Sequence, residues 1–350
     1  MLAFFAWVFI IGTAAILAGY LFQVLGKRRD AKHFPPPGRL IDVGTHRLHL
    51  LEQGRTGPTV VLEAGLMSTV LSWSELQRRL ARRYRVVSYD RAGLGWSDAG
   101  PLPRTADRIV TELHRLLQRA GVAPPYILVG HSFGGLTMPL FAARFPEETA
   151  GMVLVDPVAP AEWNPPSEHD RKLSRVGAAI CRRAAVLSRF GLIRLVSLLL
   201  STRLKKVAAH LVRFISRGAP ADSGSVASTW FSALPKKERE MAAVFWVQEQ
   251  FAEAIASQLE SLPASAARIM GLKHVCEQPA VILSAKSAPE KRRREHAAMA
   301  ARLPLGQFVA AERSGHWIMQ DEPDLVMRAI KSVAELSATG AFLASGGDAA

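Results

Sequence analysis

Between the apolar run Tyr126-Ile127-Leu128-Val129 and the helix-compatible stretch Gly135 to Phe145, the chain reads Gly130-His131-Ser132-Phe133-Gly134. A strand that turns sharply into a helix crowds the backbone at its apex, so glycines must flank the apical residue. Ser132 is thereby lifted clear of the sheet. The pentapeptide alone would be an ordinary turn, but the strand before it and the helix after it make it a nucleophile elbow. A serine hydroxyl attacks poorly at neutral pH unless an imidazole takes its proton, so the elbow calls for a histidine supplied from elsewhere.

His316 has the right setting. Ser314-Gly315-His316-Trp317 follows the strand-like Gln307 to Ala310 and precedes Asp321-Glu322-Pro323-Asp324, which reads as the start of the last helix. His33, His114, His169, His210 and His296 lack such a context and read as surface residues.

On these motifs the chain resembles the α/β-hydrolase family from about Arg39 to Leu336. The apolar strand Thr59 to Leu62 leads into Glu63-Ala64-Gly65-Leu66, where that family usually has His-Gly-x. The resemblance implies an oxyanion hole made by the N–H groups of Leu66 and Phe133. Ala64 in place of the usual His removes a loop hydrogen bond and leaves the backbone donor intact. After the strand Arg85 to Tyr89, Asp90-Arg91-Ala92-Gly93-Leu94-Gly95-Trp96-Ser97 matches the family's Asp-x-x-Gly-x-Gly-x-Ser turn, a structural bend with no assigned chemistry. The implied fold is α/β: a mostly parallel central sheet, helices on both faces and a helical cap insertion. The implied chemistry is a Ser-His-acid triad working through an acyl-enzyme, with no cofactor and no metal. Ser132 argues against the family's haloalkane dehalogenases and epoxide hydrolases, which use Asp at that position.

The acid has two candidates. The strand Ala280 to Ser284 is followed by Ala285-Lys286-Ser287-Ala288-Pro289-Glu290, with no Asp where the family most often carries one. Asp156 ends the strand Met152 to Val155, and in the usual sheet order its carboxyl end comes within reach of the histidine. Glu290 lies in the expected loop but opens the charged run Lys291 to Glu295, which a solvated helix start explains. Asp156 is preferred, and Glu290 stays open.

With 350 residues, 49% of them hydrophobic, the chain can bury one large catalytic core with an insertion. The two cysteines, Cys181 and Cys276, have neither disulfide nor zinc spacing. Met1 to Gly26 holds no charged side chain and is long enough to cross a bilayer. A cleavable signal would begin with a positive charge, which is missing. Lys27, Arg28, Arg29 and Lys32 follow, so the positive-inside rule places the catalytic domain in the cytoplasm. The expected organisation is a transmembrane anchor (1–26), a linker (27–38) with three consecutive prolines, a split hydrolase core (39–157 and 276–336), a helical cap (158–275) and a disordered tail (337–350).

Much of the net charge of +14 concentrates in one cap segment, Arg171 to Arg217, which contains no Asp or Glu and interleaves cations with Leu187, Ile193, Leu195, Leu198 and Leu199. Such basic amphipathic stretches favour an anionic lipid surface, although apolar residues facing the core and arginines facing water give the same pattern. No nucleic-acid motif accompanies the charge. Pro235 to Pro263 reads as regular helix, with Phe231, Phe245, Trp246, Phe251, Ile255 and Leu259 as either core or pocket roof. The resulting expectation is a membrane-anchored serine esterase or lipase-like hydrolase acting on a moderately apolar ester. Its rivals are a non-catalytic binding protein on the same fold and a cofactor-free perhydrolase or haloperoxidase-like enzyme.

Overall fold

The computed structural model describes residues 1–200 and 234–345. The chain divides into two compact units, Met1–Pro37 with Lys172–Leu259, and Gly38–Arg171 with Glu260–Ala350.

The second unit is built on an eight-stranded sheet of β1 (Arg39–Asp42), β2 (Arg47–Gln53), β3 (Thr59–Glu63), β4 (Arg85–Tyr89), β5 (Tyr126–His131), β6 (Thr149–Val155), β7 (Ala280–Ala285) and β8 (Gly306–Ala311). Their spatial order is β1-β2-β4-β3-β5-β6-β7-β8. β2 is antiparallel to β1 and β4, and every later pairing is parallel. Every residue of β3, β5 and β7 is buried, as expected of parallel strands covered on both faces.

The covering helices are α2 (Ser74–Leu80), α3 (Ala106–Ala120), α4 (Gly134–Arg144), the single turn α5 (Pro160–Trp163), α10 (Glu290–Ala301), the single turn α11 (Ile318–Asp321) and α12 (Pro323–Ser345). α3 illustrates their local logic. Thr105 caps its start by accepting from the Arg108 N–H, Gly121 ends it in the left-handed region, and Ile109, Leu113, Leu116 and Leu117 form its buried stripe. In α12 the residues Val326, Ile330 and Val333 lie at helical spacing and are fully buried.

The described part of the tail is helical where the sequence suggested disorder. α12 continues to Ser345, and the Ser337 hydroxyl donates to the Ala150 carbonyl, so 337–345 is helix rather than disordered chain. The alanines that suggested low complexity are the best helix formers.

The first unit contains α1 (Leu2–His33), α6 (Glu168–Arg189) from Lys172 onward, α7 (Leu192–Leu200), α8 (Lys236–Trp246) and α9 (Glu249–Met270) as far as Leu259. α1 runs past the apolar stretch through Lys27 to His33 and stops where Phe34 precedes proline, a position that disfavours helix. The linker therefore shrinks to 34–38. Phe245, Phe251 and Ile255 are buried, which is the core reading of that aromatic stripe. His210, Phe231 and the cations Arg203, Lys205, Lys206, Arg213 and Arg217 lie outside the described residues.

Candidate active site

The chain moves from β3 outward to β4, then returns to place β5 on the other side of β3. Loops leaving the carboxyl ends of strands at such a reversal diverge and open a crevice. The loop after β3 carries Leu66, and the turn after β5 carries Ser132. The described residues contain three non-glycine positions with left-handed backbone: Met67 (φ 60°), Ser132 (φ 52°) and Asp156 (φ 41°). All three stand just beyond strand ends at this crevice, and each is a conformation costing roughly 1–3 kcal/mol.

The elbow is fixed by its own backbone. Ser132 N–H donates to the Val155 carbonyl (3.1 Å), and the Ser132 carbonyl accepts from Val158 (2.8 Å) and Gly135 (2.9 Å). A Cβ on Gly130 would stand 2.6 Å from the Gly134 oxygen, so the turn admits no side chain there. A Cβ on Gly65 would lie 3.2 Å from Ser132 Cβ and 2.8 Å from His131 Nδ1, which sets the β3 loop directly against Ser132.

Asp156 and His316 are brought together. The His316 Nδ1–H donates to Asp156 Oδ2 at 2.6 Å, and the other carboxylate oxygen accepts from the Ala285 N–H at 2.9 Å. Burial pushes the Asp156 carboxyl up, but the bond from His316, with Ala285 and His296 behind it, outweighs burial and holds it below the usual carboxylate value. This bond fixes the tautomer that leaves His316 Nε2 free to accept a proton. Among the described residues no hydrogen bond joins Ser132 Oγ to the imidazole, a looseness common before substrate binds. Glu290 is elsewhere: it opens α10, is solvent-exposed and pairs with Arg294 at 3.0 Å.

Two further histidines brace these loops. His131 is fully buried, and its Nε2–H donates to the His316 carbonyl at 2.9 Å while its ring lies 4.6 Å from both the His316 and Trp317 rings. Burial, reinforced by His316, drives its pKa down to about 3, so it stays neutral. His296, read from sequence as a surface residue, is fully buried. It donates from Nε2 to the Pro157 carbonyl and accepts at Nδ1 from the Ser284 hydroxyl, both at 2.8 Å, which steadies the loop after Asp156.

The loop after β3 has its own scaffold. Arg91 is buried, pairs with Glu63, and donates to the Ala64 and Gly65 carbonyls at 2.6 Å each. Its guanidinium also sits 5.0 Å above the Phe133 ring. Glu63 takes a second bond from the Tyr89 hydroxyl. With the two loop carbonyls drawn toward Arg91, the following Leu66 N–H is set by a rigid frame. Among the described residues neither the Leu66 nor the Phe133 N–H donates to a protein acceptor. Asp90 ties in the next segment, accepting from Val70 N–H (2.9 Å) and His49 Nδ1–H (2.8 Å).

Sequence reading missed Arg91, Glu63 and His131 as contributors. One signal was present: a glutamate ending an otherwise apolar strand must find a buried cation or donor.

A cavity of about 510 Å³ lies on the sheet face near α4, β6, β7 and α10, bordered by Met152, Leu154, Cys276, Ile282 and Met299. Ser132, Asp156 and His316 do not border it, so it is separate from this constellation.

The sheet order, the elbow and the late histidine loop define an α/β-hydrolase fold, and residues 58–179 match the sequence profile of the family described as alpha/beta hydrolase fold. The chain thus has the α/β-hydrolase fold, and its likenesses to solved structures extend over most of its length. It is similar to an esterase from Thermogutta terrifontis (21% identity, covering 83% of this chain and 94% of that one, TM-score 0.57). It is also similar to an enol-lactonase from Burkholderia xenovorans (21% identity, covering 82% and 96%, TM-score 0.53). The uncharacterized protein YqjL of Bacillus subtilis is 40% identical over 105 residues, which are 30% of this chain and 42% of that protein. The chain spans less than half the length of the curated relatives it matches first.

Proposed function

We propose that the chain is a membrane-anchored serine hydrolase that cleaves an ester or related acyl bond of a moderately apolar small molecule. The observation that carries this reading is the 2.6 Å bond from His316 Nδ1–H, in the loop after β8, to Asp156 at the end of β6, the strand beside the Ser132 elbow. In the proposed reaction Ser132 Oγ attacks the acyl carbon while His316 Nε2 takes its proton. The carbonyl π electrons move to oxygen, where the N–H groups of Leu66 and Phe133 stabilise the charge. Collapse expels the leaving group, which takes the proton from His316. Water then repeats the sequence on the acyl-enzyme and releases the acid. Asp156 holds the imidazole and stabilises its charged form. The esterase and enol-lactonase likenesses support acyl chemistry by analogy of fold.

The N-terminal part of the proposal rests on α1. Its most apolar 18-residue window has a mean hydropathy of 2.2 and no buried residue, and the cations Lys27, Arg28 and Arg29 follow directly. By the positive-inside rule the hydrolase unit lies on the cytoplasmic side.

A fluorophosphonate probe tests the chemistry: wild type is expected to gain one adduct mass on the Ser132 peptide, and Ser132→Ala none. An ester chain-length panel should show Ser132→Ala slower by about 10⁴ or more with an unchanged melting temperature. Absence of labelling in folded wild type would favour the non-catalytic binding protein.

A further inference from the structure

One face of α1 carries Gly19, Gln23, Gly26 and Asp30, spaced i, i+4, i+7 and i+11. The turn between α6 and α7 lies against that face in backbone contact. A Cβ on Gly19 would run into the Phe190 carbonyl, and one on Gly191 would stand 2.7 Å from the Gly19 oxygen and 2.9 Å from Phe22. A Cβ on Gly26 would stand 2.5 Å from Arg194 Nε. Polar bonds then lock the register. Arg194 donates from Nε to Gln23 Oε1 (2.9 Å) and pairs through Nη1 with Asp30 (2.7 Å). Gln23 Nε2 donates to the Val247 carbonyl (2.9 Å), and Lys27 pairs with Glu249 (3.0 Å). The turn therefore has a fixed height on α1.

That height has a consequence if α1 is the anchor proposed above, the reading on which this inference rests. The first charged side chain of α1 is Lys27, and Gly19 lies eight residues before it. At 1.5 Å per residue Gly19 sits about 12 Å deeper along the helix axis. A headgroup layer is only about 6 Å thick, so with Lys27 at the phosphates the Gly19 level falls roughly 6 Å inside the hydrocarbon. The side chains at the turn suit that depth. Val186 and Phe190, one helical turn apart, are 57% and 40% exposed, and Leu195 is exposed beyond them. Arg182 and Arg183 stand one turn back along α6, within the run that also carries Lys172 and Arg175. Arg189 has a stem long enough to return its guanidinium to the phosphates.

We propose that the α6–α7 turn is a lipid wedge, with Val186, Phe190 and Leu195 entering the acyl layer beside α1 and the α6 cations meeting anionic headgroups. Shallow insertion of 5–10 Å is the usual depth of an interfacial amphipathic helix. The anchor would then be one part of a compound membrane surface.

The test uses the unmodified full-length chain in vesicles of phosphatidylcholine and phosphatidylglycerol doped with a phospholipid carrying a photoactivatable carbene precursor on its acyl chain. After irradiation, labelled peptides are mapped by mass spectrometry. Adducts are expected on α1 and on 186–195, the latter roughly tenfold above the water-facing residues of α3. Adducts on α1 with 186–195 at the α3 level overturn the wedge and leave the anchor standing. Absence of adducts from α1 as well overturns both.

Discussion

In the unit formed by Gly38–Arg171 and Glu260–Ala350, even ionisable groups are internal: Glu63, Asp90, Arg91, Arg104, His131 and Asp156 are nearly inaccessible. In the unit formed by Met1–Pro37 and Lys172–Leu259 the inversion runs the other way, with Phe4, Trp7, Phe9, Ile16, Val186, Leu195 and Leu198 among the exposed side chains. The first pattern costs desolvation and is tolerated because each buried group is held by a partner. The second is unfavourable in water and natural in lipid. Under the proposed anchoring, the contrast is that of two units facing different solvents. A substitution in the first should therefore damage chemistry, and one in the second should damage attachment.

After Ser132→Ala, the largest expected effect belongs to Asp156. Asp156→Asn should keep the fold while removing the carboxylate that sets the His316 tautomer, lowering kcat by about 10³ or more on a p-nitrophenyl ester. Glu290→Gln, at an exposed helix start, should stay within about twofold of the parent. A benign Asp156→Asn paired with a damaging Glu290→Gln would reverse the acid assignment.

Arg91→Lys comes next. The charge survives, but one ammonium cannot hold Glu63, the Ala64 and Gly65 carbonyls and the Phe133 ring together. We expect kcat to fall about 10- to 100-fold with KM changed less than about twofold, because the loop it frames acts on the transition state. Equal loss in a transition-state analogue's affinity would sharpen the point, whereas a change confined to KM would break it.

The buried neutral histidine gives a pH signature. His131 has a folded pKa of about 3 against an ordinary value of 6.5, so the unfolded chain binds the extra proton between those limits. Its contribution to stability is therefore complete above about pH 6.5 and erodes as pH falls toward 3, by up to roughly 1.4 kcal/mol per pH unit. From pH 7 to pH 5 the wild type should lose about 2 kcal/mol in urea unfolding from this group. His131→Gln should flatten that limb. A variant with an unchanged slope would show that His131 is not buried in solution.

The smallest effect is expected in the other unit. Arg194→Met removes the bonds to Gln23 and Asp30 and should lower stability by about 1–2 kcal/mol in detergent. Hydrolysis of a soluble ester should stay within about twofold. A large loss of turnover would mean that the two units are more interdependent than the contrast implies.

Much of the second unit could be read from the chain because its signals are local. Tyr126 to Gly134 encodes strand, turn and helix in nine consecutive residues, and Ser314 to Trp317 lies between a strand and a helix start that are equally plain. The acid was harder because the choice between Asp156 and Glu290 depends on which strand ends are neighbours. Arg91 was harder still: its partner Glu63 lies 28 residues away, and the two meet only because β3 and β4 pair in parallel. β1 and β2 escaped notice because His49, polar in sequence, is fully buried on Asp90 and breaks the expected alternation. In the first unit the apolar length of α1 was evident, but its extension to His33 and its glycine-lined face depend on contacts with α7 and with the segment joining α8 to α9.

The bond from His131 to the His316 carbonyl has a mechanical consequence. In the proposed cycle the His316 ring gains and loses a proton at every turnover, and its loop must not shift as the charge comes and goes. A support that titrated in the same range would loosen in step with its load. His131 remains neutral down to about pH 3, so its grip on the loop is constant while the ring it carries changes state. The histidine loop is thereby held at the same point in both charge states of its ring.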